Sequence, residues 1–136
     1  MDRSVLIIDD DKWIAMSTSM VLEAEGFEVH SALGGAEGIE MAGRIRPSVI
    51  LLDIMMPGMD GWETLERLKA DAATADLPVI VFTAREHSRG RAKSRELGAV
   101  EYFPKPFRPE ALIHTIRGHM AAGQESTAPE PVPTGQ

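Results

Sequence analysis

Ser48-Val49-Ile50-Leu51-Leu52-Asp53 runs four apolar residues straight into a carboxylate, and no other stretch constrains the fold as tightly. An unbroken apolar run of strand length, set between Pro47 and the Pro57-Gly58 breaker, reads as a strand buried on both faces, which is the signature of a parallel sheet. Parallel sheets carry their ligands and chemistry at the carboxyl ends of the strands. Asp53 therefore stands where reactivity is expected. A strand that merely ended in a turn-forming Asp would look the same in isolation, so the decision rests on whether the pattern recurs.

It does recur. Val5-Leu6-Ile7-Ile8 ends in the acids Asp9-Asp10-Asp11, and Val79-Ile80-Val81-Phe82 ends in Thr83. Two weaker strands complete the set: the alternating Phe27-Glu28-Val29-His30, and Val100-Glu101-Tyr102-Phe103, which meets Pro104 and so belongs at a sheet edge. Between them lie stretches of helical spacing. The first, about 12 to 25, buries Ile14, Thr18, Val21 and Leu22 and stops at Gly26; the second, about 35 to 45, turns Ile39, Ala42 and Ile45 inward. Trp62, Leu65 and Leu68 mark a third helix ending near Asp71, a basic stretch from about Ser88 to Leu97 a fourth, closed by Gly98. A fifth starts at Pro109 and buries Leu112, Ile113, Ile116 and Met120. Five strands alternating with five helices specify an α/β, doubly wound parallel sheet. In the flavodoxin-like strand order 2-1-3-4-5, the reversal falls between the strands ending in the acid run and in Asp53.

The length suits one domain, placed at residues 1–120, followed by a disordered, Pro-rich tail over 121–136. The absence of cysteine excludes disulfides and thiolate metal sites. The N-terminal apolar run is too short for a signal peptide or a spanning helix. A soluble cytoplasmic protein with no membrane role is expected. A net charge of -7 argues against direct nucleic-acid binding, which wants a basic footprint. Residues 85–108 are the local exception, with seven Lys/Arg against three Glu.

Carboxylates crowded at two adjacent strand ends repel one another unless a pKa rises or a cation neutralises them. An all-oxygen set selects a hard cation, Mg²⁺ foremost, with Mn²⁺ or Ca²⁺ as substitutes. Such a site beside a lysine, Lys105, and a hydroxyl, Thr83, is built for a phosphoryl group. Asp53 would be the nucleophile, Lys105 and the metal would offset charge on the equatorial oxygens, and Thr83 would donate a hydrogen bond to one of them. The competing view of Thr83, a β-branched residue that only favours a strand, is weakened by its position at the strand end.

These pieces together resemble the response-regulator receiver domain of two-component signalling. The matching residues are Asp9-Asp10, the run Leu51-Leu52-Asp53-Ile54-Met55-Met56-Pro57-Gly58-Met59-Asp60-Gly61, Thr83-Ala84, and Lys105-Pro106-Phe107. The likeness covers about residues 3 to 120. It implies that Asp9 and Asp10 are the metal pair, Asp53 the phosphoacceptor and a further ligand, and the Met55 carbonyl the last protein ligand. It also implies a cis Lys105-Pro106 peptide and leaves Asp11 as a helix cap. A sensor histidine kinase or phosphotransfer protein would be the donor. The chain would not be an enzyme in the ordinary sense, catalysing only its own Mg²⁺-dependent phosphorylation and dephosphorylation.

A switch is implied as well. On phosphorylation Thr83 moves toward the new group, and Tyr102 turns into the space vacated, which biases a face made by the fourth helix, fifth strand and fifth helix. That face would control an unidentified downstream protein or a phosphorylation-dependent homodimer. The alternative for Tyr102 is an ordinary edge-strand aromatic. The basic stretch reads equally well as a solvated surface or as a docking site. Met55, Met56 and Met59 read as gap-fillers over the core, and the four histidines show no metal spacing. The resemblance also implies that Met55 and Arg85, each two residues beyond a site residue, flank the path of water, and their bulk would slow dephosphorylation.

Three rivals remain. A haloacid-dehalogenase-type phosphatase wants an acid two residues after its nucleophile, and Met55 holds that place. A phosphorylation-independent pseudo-receiver normally lacks one of the site residues, and none is missing. A receiver fragment of a longer regulator fits the Pro-rich tail as a linker; with no output motif after Met120, a stand-alone receiver is the reading preferred.

Overall fold

The computed structural model describes residues 3–56, 60–83, 88–105 and 108–125. Five strands, β1 (Ser4–Ile8), β2 (Glu28–Ala32), β3 (Val49–Leu52), β4 (Val79–Thr83) and β5 (Glu101–Pro104), alternate with five helices, α1 (Lys12–Ala24), α2 (Gly35–Ile45), α3 (Gly61–Ala70), α4 (Ser88–Glu96) and α5 (Pro109–Glu125). The strands pair in parallel in the order β2-β1-β3-β4-β5, as the apolar runs require. β5, with its proline, lies at an edge. β2 begins one residue later than the sequence pattern suggests and extends to Ala32, because its register follows β1 from Ser4↔Glu28 to Ile8↔Ala32. α5 continues to Glu125, so the boundary expected at residue 120 falls inside a helix; residues 126–136 of the expected tail lie outside the described residues.

Strand parity divides the interior. Successive side chains along a strand point to opposite faces, and the three central strands are buried on both. Val5, Ile7, Val49, Leu51, Ile80 and Phe82 pack with Leu22 of α1 and with Leu112 and Ile116 of α5. Leu6, Ile8, Ile50, Leu52, Val79 and Val81 pack on the other side, with Ala42 of α2 and Leu65 and Leu68 of α3, and Tyr102 joins them.

The helix ends are chemically specified. The Asp11 carboxylate accepts the Trp13 and Ile14 amides at the start of α1, and Asp60 accepts the Glu63 amide at the start of α3; such caps contribute about 1 kcal/mol each. Gly26 and Gly98 close α1 and α4 with φ of +93° and +103°. Gly61 is fixed by space. A Cβ there would lie 2.0 Å from Ile54 Cα and 2.7 Å from the Asp53 carbonyl oxygen. α3 can therefore start hard against the chain leaving β3 only because this residue is glycine.

Candidate functional site

Backbone pairing carries the site beyond the strand ends. Ile8 is paired with Leu52, and the ladder continues as the Asp53 amide donates to the Ile8 carbonyl at 2.9 Å and the Asp9 amide to the Ala32 carbonyl at 3.1 Å. Asp9 and Asp53 are thus held side by side on neighbouring strands. The Lys105 amide donates to the Thr83 carbonyl at 2.7 Å, which anchors the lysine in the same way just past β5. By parity Asp9, Asp53 and Lys105 continue the Val5, Val49 and Phe103 rows toward α1 and α5, whereas Thr83 continues the Val79-Val81 row toward the opposite layer.

The acids meet as their placement in the sequence suggests. Asp9, Asp10 and Asp53 each offer an oxygen, all within 4.8 Å of one another. Asp9 and Asp53 are buried and Asp10 is exposed. The Lys105 ammonium lies 3.0 Å from Asp9 Oδ2 and 3.8 Å from Asp53 Oδ2. The other oxygens of Asp9 and Asp53 are also engaged: Asp9 Oδ1 accepts the Asp11 amide at 2.9 Å, and Asp53 Oδ1 accepts the Met55 amide at 3.1 Å. Burial pushes the Asp53 carboxyl up to about 6 from 3.8, against the pull of Lys105 and the Met55 amide, with Asp9 adding to the rise. Three carboxylates around one ammonium leave negative charge uncompensated. An all-oxygen donor set with that surplus is able to hold a hard divalent cation.

Some expectations need correction. Met55 is 51% exposed, while Met56 is buried; of these two, Met56 fills a gap in the core, because Met55 sits in the turn where the Asp53 carboxylate captures its amide. Lys105 does not belong to the basic surface stretch, since it points into the acid pocket. Of the remaining basic side chains, Arg91 lies over the Tyr102 ring at 4.9 Å and Lys93 over the Trp62 ring at 4.9 Å, so α4 is laid onto aromatics. Tyr102 is buried, with its ring turned inward, and Thr83 is fully buried. His30 and His119 stand at surface pairs with Glu28 and Glu101. Met59, Arg85, His87 and Pro106 lie outside the described residues, and with them the Arg85 and cis-peptide readings.

Sequence reasoning missed two features. The sequence pattern marks Phe82 only as strand core, yet its ring centroid lies 4.6 Å from the Lys105 ammonium. Trp13, Met16 and Met20 stand 70%, 50% and 63% exposed on α1; their i, i+3, i+7 spacing was the available signal.

The family model for the response regulator receiver domain matches residues 5–117. The chain belongs to the response-regulator receiver family. PilH of Pseudomonas aeruginosa is 33% identical over 117 residues, covering 86% of this chain and 97% of that protein. The DNA-binding dual master transcriptional regulator RpaA of Synechocystis is 37% identical over 113 residues, covering 83% of this chain but 47% of that protein. Response regulator MprA of Mycobacterium leprae is likewise matched over 55% of its length, so the chain spans about half of several curated relatives. Among solved structures, a CheY-like receiver from Methanospirillum hungatei superposes with a TM-score of 0.86 at 29% identity, covering 93% of this chain and 99% of that one. Chemotaxis protein CheY4 of Vibrio cholerae gives 0.81 at 29% identity, covering 87% and 98%. The receiver family is a phosphoacceptor signalling family whose members partner with histidine kinases. No helix among the described residues is long and apolar enough to cross a membrane.

Proposed function

We propose that this receiver accepts a phosphoryl group on Asp53 from a histidine kinase or phosphotransfer protein, with Mg²⁺ bound by Asp9, Asp10, Asp53 and the Met55 carbonyl. The observation that carries the reading is the meeting of three carboxylates within 4.8 Å, beside an ammonium 3.0 Å from Asp9 and 3.8 Å from Asp53. An Asp53 oxygen attacks phosphorus, the O–P bond forms, and the donor's N–P bond breaks with its electron pair passing to the imidazole, which is then protonated. Lys105 offsets charge on a phosphoryl oxygen from the ground position it already holds. A cation held there would supply further charge neutralisation and would help to orient the transferring group. The Asp53-Met55 hydrogen bond fixes the carboxylate rotamer, so that little reorientation is needed.

Thr83 and Tyr102 read the result out. The Thr83 hydroxyl turns toward the phosphoryl group, and Tyr102, packed in the layer that Thr83 faces, adjusts with it, altering the α4-β5-α5 face. That face then engages a downstream protein or a second receiver. DNA binding belongs by name to RpaA, of which this chain covers 47%; a longer regulator of that kind is the second reading, favoured by the partial coverage. Exposed Met55 supports a slow loss of the phosphoryl group, with Arg85 as the second obstruction to water. Met55→Asn and Arg85→Ala are expected to shorten the lifetime; unchanged single-turnover decay in both would remove that part of the proposal.

The primary test is intact mass after incubation with acetyl phosphate. A single phosphoryl gain that needs Mg²⁺, vanishes in chelator and is absent in Asp53→Asn supports the reading. If Asp53→Asn still gains one, the acceptor lies elsewhere.

A further inference from the structure

We propose that the face of the Phe82 ring positions the Lys105 ammonium in the acid pocket, which makes Phe82 a positioning residue for phosphoryl transfer. The inference rests on the reading of Lys105 as the group that meets a phosphoryl oxygen. Phe82 is fully buried on β4, and its ring centroid stands 4.6 Å from Lys105 Nζ. Parity puts its side chain in the same layer as Asp9, Asp53 and Lys105, and it sits one step past the Leu52↔Val81 pairing, level with the chain leaving β3.

The physical need for it follows from the lysine. Its ammonium is a compact charge on a flexible stem with about 2 kcal/mol of rotamer entropy. Two carboxylates, at 3.0 and 3.8 Å, leave it free to swing between them or to collapse onto one. The ring adds a third contact from a different direction. It attracts the cation through its quadrupole without carrying a charge, so it fixes the ammonium while leaving its charge available to a phosphoryl oxygen. The Lys105 side chain is only 10% exposed, so water does little to screen that attraction. A leucine or methionine at residue 82 would fill most of the same core volume but offer no such face.

The full-length chain carrying 4-fluoro-, 3,5-difluoro- or 3,4,5-trifluorophenylalanine at residue 82 separates electronics from packing, because fluorine drains the ring face with little change in shape. Phosphoryl gain from acetyl phosphate with Mg²⁺ should slow progressively along the series, roughly three- to tenfold at the trifluoro ring, with the melting temperature held. In the metal-free protein the Lys105 ε-methylene protons should show an upfield ring-current shift that Phe82→Leu abolishes. Equal rates across the fluorinated series, or ordinary ε-methylene shifts in the native chain, would overturn the proposal. A native chain that never gains a phosphoryl group refutes the reading of Asp53; the ε-methylene shifts still decide for or against the placement of Lys105 by the ring. Should Phe82→Leu fail to fold, the fluorinated rings carry both measurements.

Discussion

The two layers packed on this sheet do different work at its carboxyl end. Toward α1 and α5 the strand rows end in Asp9, Asp53 and Lys105, charged groups within 4 Å of a partner. Toward α2, α3 and α4 they lead to Thr83 and Tyr102, buried groups without formal charge. Strand parity separates the layers, so the proposed chemistry and its readout share one rim of the sheet yet face different helices. Rigid strand ends suit the first, which needs fixed distances. The α4-β5 edge suits the second: among the described residues β5 is the last strand of the sheet, and α4 leans on it through Arg91.

Substitutions should separate the layers, starting with the most damaging. Asp53→Asn is expected to abolish phosphoryl gain outright, measured by intact mass. Lys105→Ala should slow the same gain by about 10²-fold, the usual effect of losing one preorganised charge-stabilising group. Thr83→Ala should leave a phosphoryl gain within about tenfold of native but suppress the change in amide exchange over β5 and α4. If Thr83→Ala and Lys105→Ala behave alike in both assays, the division between layers fails.

The buried carboxylate also predicts a stability effect in chelator. The Asp53 pKa is near 6 in the folded chain and 3.8 in the ordinary state. The folded protein thus holds a proton that the unfolded chain releases between those values, and stability falls as pH rises through them. Asp53→Asn removes the penalty. It should stabilise the metal-free protein by about 1–3 kcal/mol near neutral pH, the lower end allowing for lost attraction to Lys105, and by nothing below about pH 4. Urea titrations at the two pH values check this; a constant gain would mean that desolvation of the charge is not the cause. The smallest effect is expected from Arg91→Ala, about 0.5–1 kcal/mol for an exposed cation over a ring, seen as faster amide exchange confined to β5 with phosphoryl gain unchanged.

Much of this was legible in the sequence, for a physical reason. Apolar runs buried on both faces leave little freedom in fold class, and parallel strands bring their ends to one rim, so Asp9, Asp10, Asp53 and Lys105 had to converge. Asp11 as a cap came with the resemblance, which assigned the two acids before it to the metal, and its carboxylate does accept the Trp13 and Ile14 amides. What stayed hidden depends on distances between side chains far apart in sequence. Nothing in the pattern distinguishes Phe82 as a cation's seat from Phe82 as core, or Arg91 over Tyr102 from a solvated arginine. The reach of α5 to Glu125 was also missed, since residues 121–125 offer no large apolar side chain to mark a buried stripe.

The chain's two tryptophans fall on opposite sides of the division. Trp13, 70% exposed, follows the acid run by two residues and has its amide held by Asp11; Trp62 is half-buried on α3 beneath the Lys93 cation. The molecule therefore contains a pair of intrinsic optical reporters, one beside the acids and one where α3 meets α4. With each removed in turn by substitution to Phe, the order of events, pocket filling first or helix movement first, becomes a question for stopped-flow fluorescence without any attached dye.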